Sequence, residues 1–163
     1  MIKKKKINLY CRKVIAYILG KRFYSTPKNI GTSMPCRQYS SIINKSDRLL
    51  LEEKYFLDNS LTINNLAREI GTNRTYLSTS IKAVKKQSFS EYINSSRIEY
   101  SKLLIKKKIV NCKTGIDNSG MTTEDYAIAS GFSSARSFVR CFKMREGITP
   151  SQYKNALLWK VRE

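Results

Sequence analysis

The stretch SGFSSARSFVRCFK, residues 130–143, sets Arg136 and Arg140 four residues apart, with Phe138 and Phe142 also four apart but out of phase with them. At 100° per residue this spacing predicts one short helix with two faces. Phe138, Cys141 and Phe142 turn toward a core, while Arg136, Arg140 and Lys143 cluster about 180° away. Upstream, Thr122 caps a helix carrying Tyr126 and Ala127, with Asp125 at the capping-box position and Gly131 as its stop. Downstream, Thr149 and Gln152 form a second capping box, with Pro150 at the first helical position, where its missing N–H costs nothing.

The same punctuation occurs sixty residues earlier. Thr62 caps a helix whose apolar or small residues Ile63, Leu66, Ala67 and Ile70 make one buried stripe, and Gly71 stops it. Asn73 caps the next helix, in which Leu77, Ile81 and Val84 point inward and Thr75, Thr79, Lys82 and Lys86 point outward. Beyond the turn the second copy is one residue longer, so Leu77 matches Phe138, Ile81 matches Phe142, and Ser88 to Tyr92 align with Thr149 to Tyr153, Ser88 and Glu91 forming a further capping box. A helix, a tight glycine turn and a second helix, followed by a capped third, is therefore written twice, which predicts an all-α chain with a duplicated helix-turn-helix.

The reading divides the chain into a basic arm at 1–45, a first unit with its linking helix at 46–105, a basic polar loop at 106–120 and a second unit at 121–157. Ser46 is expected to cap a helix over Asp47–Leu57 that ends at Asn59-Ser60, and the linking helix from Phe89 to Ile105 is expected to bury Phe89, Tyr92, Ile93, Tyr100, Leu103 and Leu104. Tyr76 and Tyr100 read as packing residues, and Lys106 to Lys108 as a solvated run.

Charge indicates the partner. Lys and Arg number 31 against 12 acids, a net +19, which points to a polyanion. Residues 1–46 hold eight Lys, three Arg and no acid, leaving +8 for the rest. The arm is expected to be poorly ordered and to touch phosphates without regard to sequence. Its KKKK opening and the apolar Val14 to Leu19 imitate a secretory signal, but Arg12 and Lys13 interrupt the run and its apolar core is too short. A soluble, cytoplasmic chain is expected, with no membrane partner.

Catalysis is disfavoured by what the sequence lacks. It has no histidine, which excludes Ser/His/Asp and Cys/His machinery and two-Cys, two-His zinc sites, and its four cysteines at 11, 36, 112 and 141 include no CxxC pair. Gly115 to Thr122, GIDNSGMT, has the glycine spacing of a phosphate-binding loop, yet Met121 stands at the essential lysine position and no strand precedes it. No enzyme activity, metal or cofactor is expected.

The second unit, YAIASGFSSARSFVRCFKMREGITPSQYK, resembles the C-terminal signature of the AraC/XylS family of bacterial transcription regulators through Gly131, Phe132, Phe138, Arg140, Phe142, Lys143 and the GITPSQY ending. The first unit resembles it through Leu66, Ala67, Leu77, Lys82, Phe89, Tyr92, Ile93, Arg97 and Ile98. The resemblance implies seven helices, two recognition helices in successive major grooves, and a transcription activator that binds double-stranded DNA as a monomer in the nucleoid, with RNA polymerase a further candidate partner. Most members carry an effector domain before this module. The 45 residues here are too few for one, so the chain resembles the short stand-alone members or a fragment, and no small-molecule effector is implied.

The candidate base contacts are Arg136, Arg140, Val139, Ala135, Thr75, Ser78 and Thr79; the candidate phosphate contacts are Arg74, Lys82, Lys86, Ser133, Ser134 and Lys143. The family commonly has phenylalanine where Ile81 stands, arginine at Thr79, isoleucine at Tyr126 and a polar residue at Ala135, so the first unit is the weaker base reader. The competing reading is a membrane-surface or protein-interaction adaptor that uses the basic arm. It leaves the duplication unexplained.

Overall fold

The computed structural model describes residues 36–113 and 120–160, and the basic arm up to residue 35 lies outside them. The described residues contain seven α-helices and no strand: α1 (Cys36–Glu52), α2 (Ile63–Glu69), α3 (Arg74–Lys85), α4 (Phe89–Lys113), α5 (Thr123–Ala129), α6 (Ala135–Glu146) and α7 (Pro150–Lys160), with a 3-10 turn at Tyr55–Leu57. They form two compact units, residues 36–55 with 62–89 and residues 56–61 with 90–160.

In the first unit α1 and α2 both pack on α3. Ile43 and Leu50 of α1, Leu66, Ala67 and Ile70 of α2 with its cap, and Leu77 and Ile81 of α3 are buried. In the second, Ile98, Ile105 and Ile109 of α4 join Tyr126, Ala127, Phe132, Phe138 and Phe142 in one apolar cluster, flanked by Tyr153, Leu157 and Leu158 of α7. Phe142 meets Phe138 at 5.7 Å and Tyr153 at 5.5 Å, both edge-on, an arrangement that the ring quadrupoles favour.

The helix starts follow the sequence. Thr62 accepts from the Asn65 N–H and Asn73 from the Tyr76 N–H. At α5 the Thr122 hydroxyl accepts from the Asp125 N–H while the Asp125 carboxylate accepts from the Thr122 N–H at 2.8 Å. That N–H and the Thr122 hydroxyl hold the Asp125 carboxyl below its ordinary pKa. Thr149 and Gln152 repeat the box at α7.

The two tight turns are built alike. The Gly71 N–H donates to Arg68 O and the Thr72 N–H to Ala67 O; the Gly131 N–H donates to Ile128 O and the Phe132 N–H to Ala127 O. This double closure needs a left-handed residue after the helix, and Gly71 and Gly131 supply it at φ +72° and +82°. Their surroundings differ. A Cβ on Gly71 would meet nothing, whereas one on Gly131 would lie 2.7 Å from Leu57 Cα and 2.8 Å from the carbonyl oxygens of Phe56 and Leu57. The same 3-10 turn is held by Arg97, whose Nε donates to Phe56 O at 2.7 Å and Nη2 to Asp58 O at 2.8 Å, with its guanidinium 5.6 Å from the Phe132 ring centre.

Three sequence expectations change. Ser46 is not a cap: α1 runs from Cys36 to Glu52, short of the expected end at Leu57 because Lys54 turns left-handed at φ 56°, and Ser46 is fully buried inside it with its hydroxyl donating to Ile42 O at 3.1 Å. A mid-helix serine can satisfy itself on its own turn, which removes the break. The residues from Cys36 onward thus belong to this helix rather than to the arm. Helix α4 runs to Lys113 instead of stopping at Ile105, because Ile109 extends the buried stripe of Ile98 and Ile105 past the lysine run; residues 114–119 of the expected loop lie outside the described ones. On α4, Tyr92 and Ile93 are buried as expected and Ile98, Ser101 and Ile105 are fully buried, while Phe89, Tyr100, Leu103 and Leu104 are only half-buried.

The repeat also reaches further back than the sequence reading placed it. Ile43, Ser46 and Leu50 of α1 correspond to Ile98, Ser101 and Ile105 of α4, fifty-five residues on, each exposed by 1% or less. The Ser101 hydroxyl, like that of Ser46, bonds a carbonyl of its own helix, Ile98 O at 2.7 Å. Each unit therefore consists of a supporting helix followed by a helix-turn-helix.

Three stability measurements check this description. Gly71→Ala should cost about 1 kcal/mol, the left-handed penalty alone, while Gly131→Ala should cost clearly more because backbone atoms cannot give way; equal shifts in thermal melts would contradict it. Phe142→Ala should cost about 3 to 5 kcal/mol. The Tyr126 hydroxyl is buried with no hydrogen-bond partner among the described residues, and burial pushes its pKa up, so Tyr126→Phe should leave the melting temperature unchanged or raise it.

Candidate nucleic-acid interface

The second helices of the two units, α3 and α6, are the elements whose inner sides are seated and whose outer sides are open. On α3, Leu77, Ser80 and Ile81 are buried, while Arg74, Thr75, Thr79 and Lys82 are exposed, as is Lys86, the left-handed residue that closes the helix at φ 57°. On α6, Phe138 and Phe142 have no exposed surface, while Arg136, Arg140 and Lys143 stand in solvent. The two faces read from residues 130–143 are therefore the two faces of α6.

Several candidates sit at the margin of that open face. Ser78 is half-buried. Ala135 and Val139 pack against the apolar cluster and offer only part of their surface outward. Ser134 is the N-cap of α6: its hydroxyl accepts from the Ser137 N–H at 3.3 Å and bonds the Ser137 hydroxyl at 3.1 Å, whereas neighbouring Ser133 is exposed. Helices α3 and α6 start at the N-caps Asn73 and Ser134, and the backbone N–H groups of a first helical turn favour an anion.

Electrostatics separates the open faces from the supports. Neither α3 nor α6 has an acid on its outer face, and among the described residues Arg74, Lys82, Arg136, Arg140 and Lys143 have no ion-pair partner. Basic groups that join helices within each unit are paired: Lys85 with Asp47 at 2.8 Å, Lys102 with Glu146 at 3.0 Å and Glu99 at 3.4 Å, and Arg145 with Glu99 at 3.5 Å. An unpaired guanidinium keeps all five donors for a ligand. Arginine's planar fork suits guanine O6 and N7 or a phosphate, so the open face of α6 can bond either.

Two features escaped the sequence reading. Tyr76, read as a packing residue, is 43% exposed on α3; its flank of the helix lies between the inward and outward stripes, where periodicity decides nothing. The ion pairs at the helix ends join residues 38 or more apart in sequence, which no local pattern signals. No helix among the described residues is long and apolar enough to cross a membrane.

Comparison with known proteins places the fold. A family model described as a helix-turn-helix domain matches residues 66–156. The solved C-terminal domain of AraT, a response regulator from Geobacillus stearothermophilus, is similar over 74% of this chain and 88% of that one, with a TM-score of 0.56 and 21% identity. The C-terminal domain of the two-component response regulator yesN from Fusobacterium nucleatum is similar over 71% and 95%, with a TM-score of 0.51 and 24% identity. Among curated relatives, the uncharacterised helix-turn-helix-type transcriptional regulator YtdP of Bacillus subtilis is 30% identical over 117 residues, which are 72% of this chain but 13% of that protein. The transposon Tn10 TetD protein of Escherichia coli is 26% identical over 140 residues, 86% of this chain and 92% of that one. With two helix-turn-helix units and a family model matching more than half of its length, the chain belongs to the AraC-type helix-turn-helix family, a family of DNA-binding transcription regulators.

Proposed function

We propose that the chain is a sequence-specific DNA-binding regulator of transcription in which α3 and α6 each enter a major groove and Arg136 and Arg140 read base edges. The observation that supports this reading most is the outer face of α6: three exposed cations without acidic partners, on a helix whose opposite side is fixed by two buried phenyl rings. A helix held that firmly presents its guanidinium groups in a set register, which base readout requires and a loose polyanion contact does not. Arg74, Lys82, Lys86 and Lys143 are suited to flanking phosphates, which position the protein without selecting sequence.

The first unit contributes differently. Thr75 and Thr79 on the outer face of α3 can bond bases or meet a thymine methyl, but neither offers a bidentate fork. Discrimination is therefore expected to be sharper at the half-site read by α6. The sign of regulation is assigned as activation, in line with the family resemblance, and a promoter fused to a reporter tests it.

Selection of bound duplexes from a random pool should yield a defined site. Arg140→Ala should then weaken binding to that site by about 1 to 3 kcal/mol and relax preference at one position. Gel shifts on specific and random duplexes measure this; an unchanged affinity ratio would remove Arg140 from base readout.

A further inference from the structure

Both recognition helices end on a charged residue tied to their own supporting helix. Lys85, the last residue of α3, bonds Asp47 of α1 at 2.8 Å; Glu146, the last residue of α6, bonds Lys102 of α4 at 3.0 Å. These are corresponding positions. Lys85 and Glu146 are related by the sixty-one residues that bring Leu77 onto Phe138, and Asp47 and Lys102 by the fifty-five that bring Ser46 onto Ser101. The same contact is made twice with its polarity reversed.

Helix propensity does not account for it. A carboxylate on the last residue of a helix opposes the macrodipole, whereas a lysine there complements it, so Glu146 sits against its local preference and is compensated by Lys102. The second pair is also the more elaborate: Glu99 bonds both Lys102 and Arg145, Arg145 donates to the Ser95 hydroxyl at 2.6 Å, and the Lys102 ammonium lies 6.0 Å from the centre of the Tyr153 ring. All of these side chains except Arg145 are less than a quarter exposed in their ion pairs. Burial alone lowers the Lys102 pKa, but the hydrogen bond to Glu146 and the charges of Glu99 and Glu146 outweigh it and leave it raised.

We infer that Asp47 and Lys102 are positioning residues, each a polar clamp that fixes the C-terminal end of a recognition helix on its supporting helix and so sets the attitude at which the groove face is presented. The inference rests on the reading of α3 and α6 as base-reading helices. Apolar packing of Leu77 and Ile81, or of Phe138 and Phe142, sets the rotation of the helix about its own axis; a polar attachment at one end adds a constraint on its tilt. The clamp touches no DNA itself, so it acts on discrimination rather than on overall affinity.

Charge exchange tests it on the full chain. Lys102→Glu and Glu146→Lys, singly, should each reduce the ratio of affinities for the selected and random duplexes about tenfold, the value of one lost bidentate contact; the ratio is the readout because the sequence-blind effect of the altered charge enters both affinities. The double exchange rebuilds the pair between 102 and 146 with opposite polarity but loses the contact of 102 with Glu99, so it should restore the ratio above that of either single exchange. Lys102→Met, whose stem still packs on Tyr153, covers the case in which a single exchange does not fold, and should show the same loss of ratio at temperatures where the protein is fully folded. An unchanged ratio in the Met variant, or a double exchange as poor as the singles, would overturn the clamp. If wild type itself shows no preference between duplexes, the base-reading assignment falls, and the clamp's function falls with it.

Discussion

A helix of three turns can be held on one side only, and the second unit depends on how completely Phe138 and Phe142 take up that side. Both rings are without solvent exposure and stack edge-on in a series that continues to Tyr153 of α7. Because residues four apart share a face, the same periodicity that sinks the two phenyls lifts Arg136, Arg140 and Lys143 outward. Core packing and surface chemistry are thus one constraint. A rotation of the helix by a third of a turn would bury cations and expose rings together, so the cost of burying a charge guards the register of the open face.

Around this seat the two units use different materials for the same geometry. The first fixes α3 with Leu77 and Ile81, the second fixes α6 with aromatic rings. The supporting helices share a fully buried serine, Ser46 or Ser101, each bonded to its own helix. A small, self-satisfied residue admits a close helix neighbour without asking it for a hydrogen bond.

What the sequence makes legible is what physics decides locally. Thr62, Asn73, Thr122 and Thr149 cap because a side-chain oxygen three residues before an orphan N–H has little alternative, and the stripes of α2, α3, α5 and α6 follow from periodicity. Ser46 misled because the same hydroxyl chemistry that starts helices can be absorbed inside one. The loop assignment from residue 106 misled because the exposed Lys106 and Lys107 lie on the open side of a helix whose other side, Ile105 and Ile109, continues uninterrupted. The candidate site divides along the same line. The exposed positions of Arg136, Arg140, Thr75 and Thr79 were readable from phase, whereas the half-buried setting of Ala135 and Val139 and the pairing of Glu146 depend on neighbours far along the chain.

The contrast between the two glycine turns bears on how such a chain diverges. At residue 71 the left-handed backbone is open to solvent, so asparagine, which tolerates that conformation, is a feasible replacement and the first turn can drift in sequence. At residue 131 the backbone of Phe56 and Leu57 leaves room for a hydrogen and nothing more. Relatives of this fold are therefore expected to vary more in the residue at the first turn than in the one at the second, where the supporting 3-10 turn admits glycine alone.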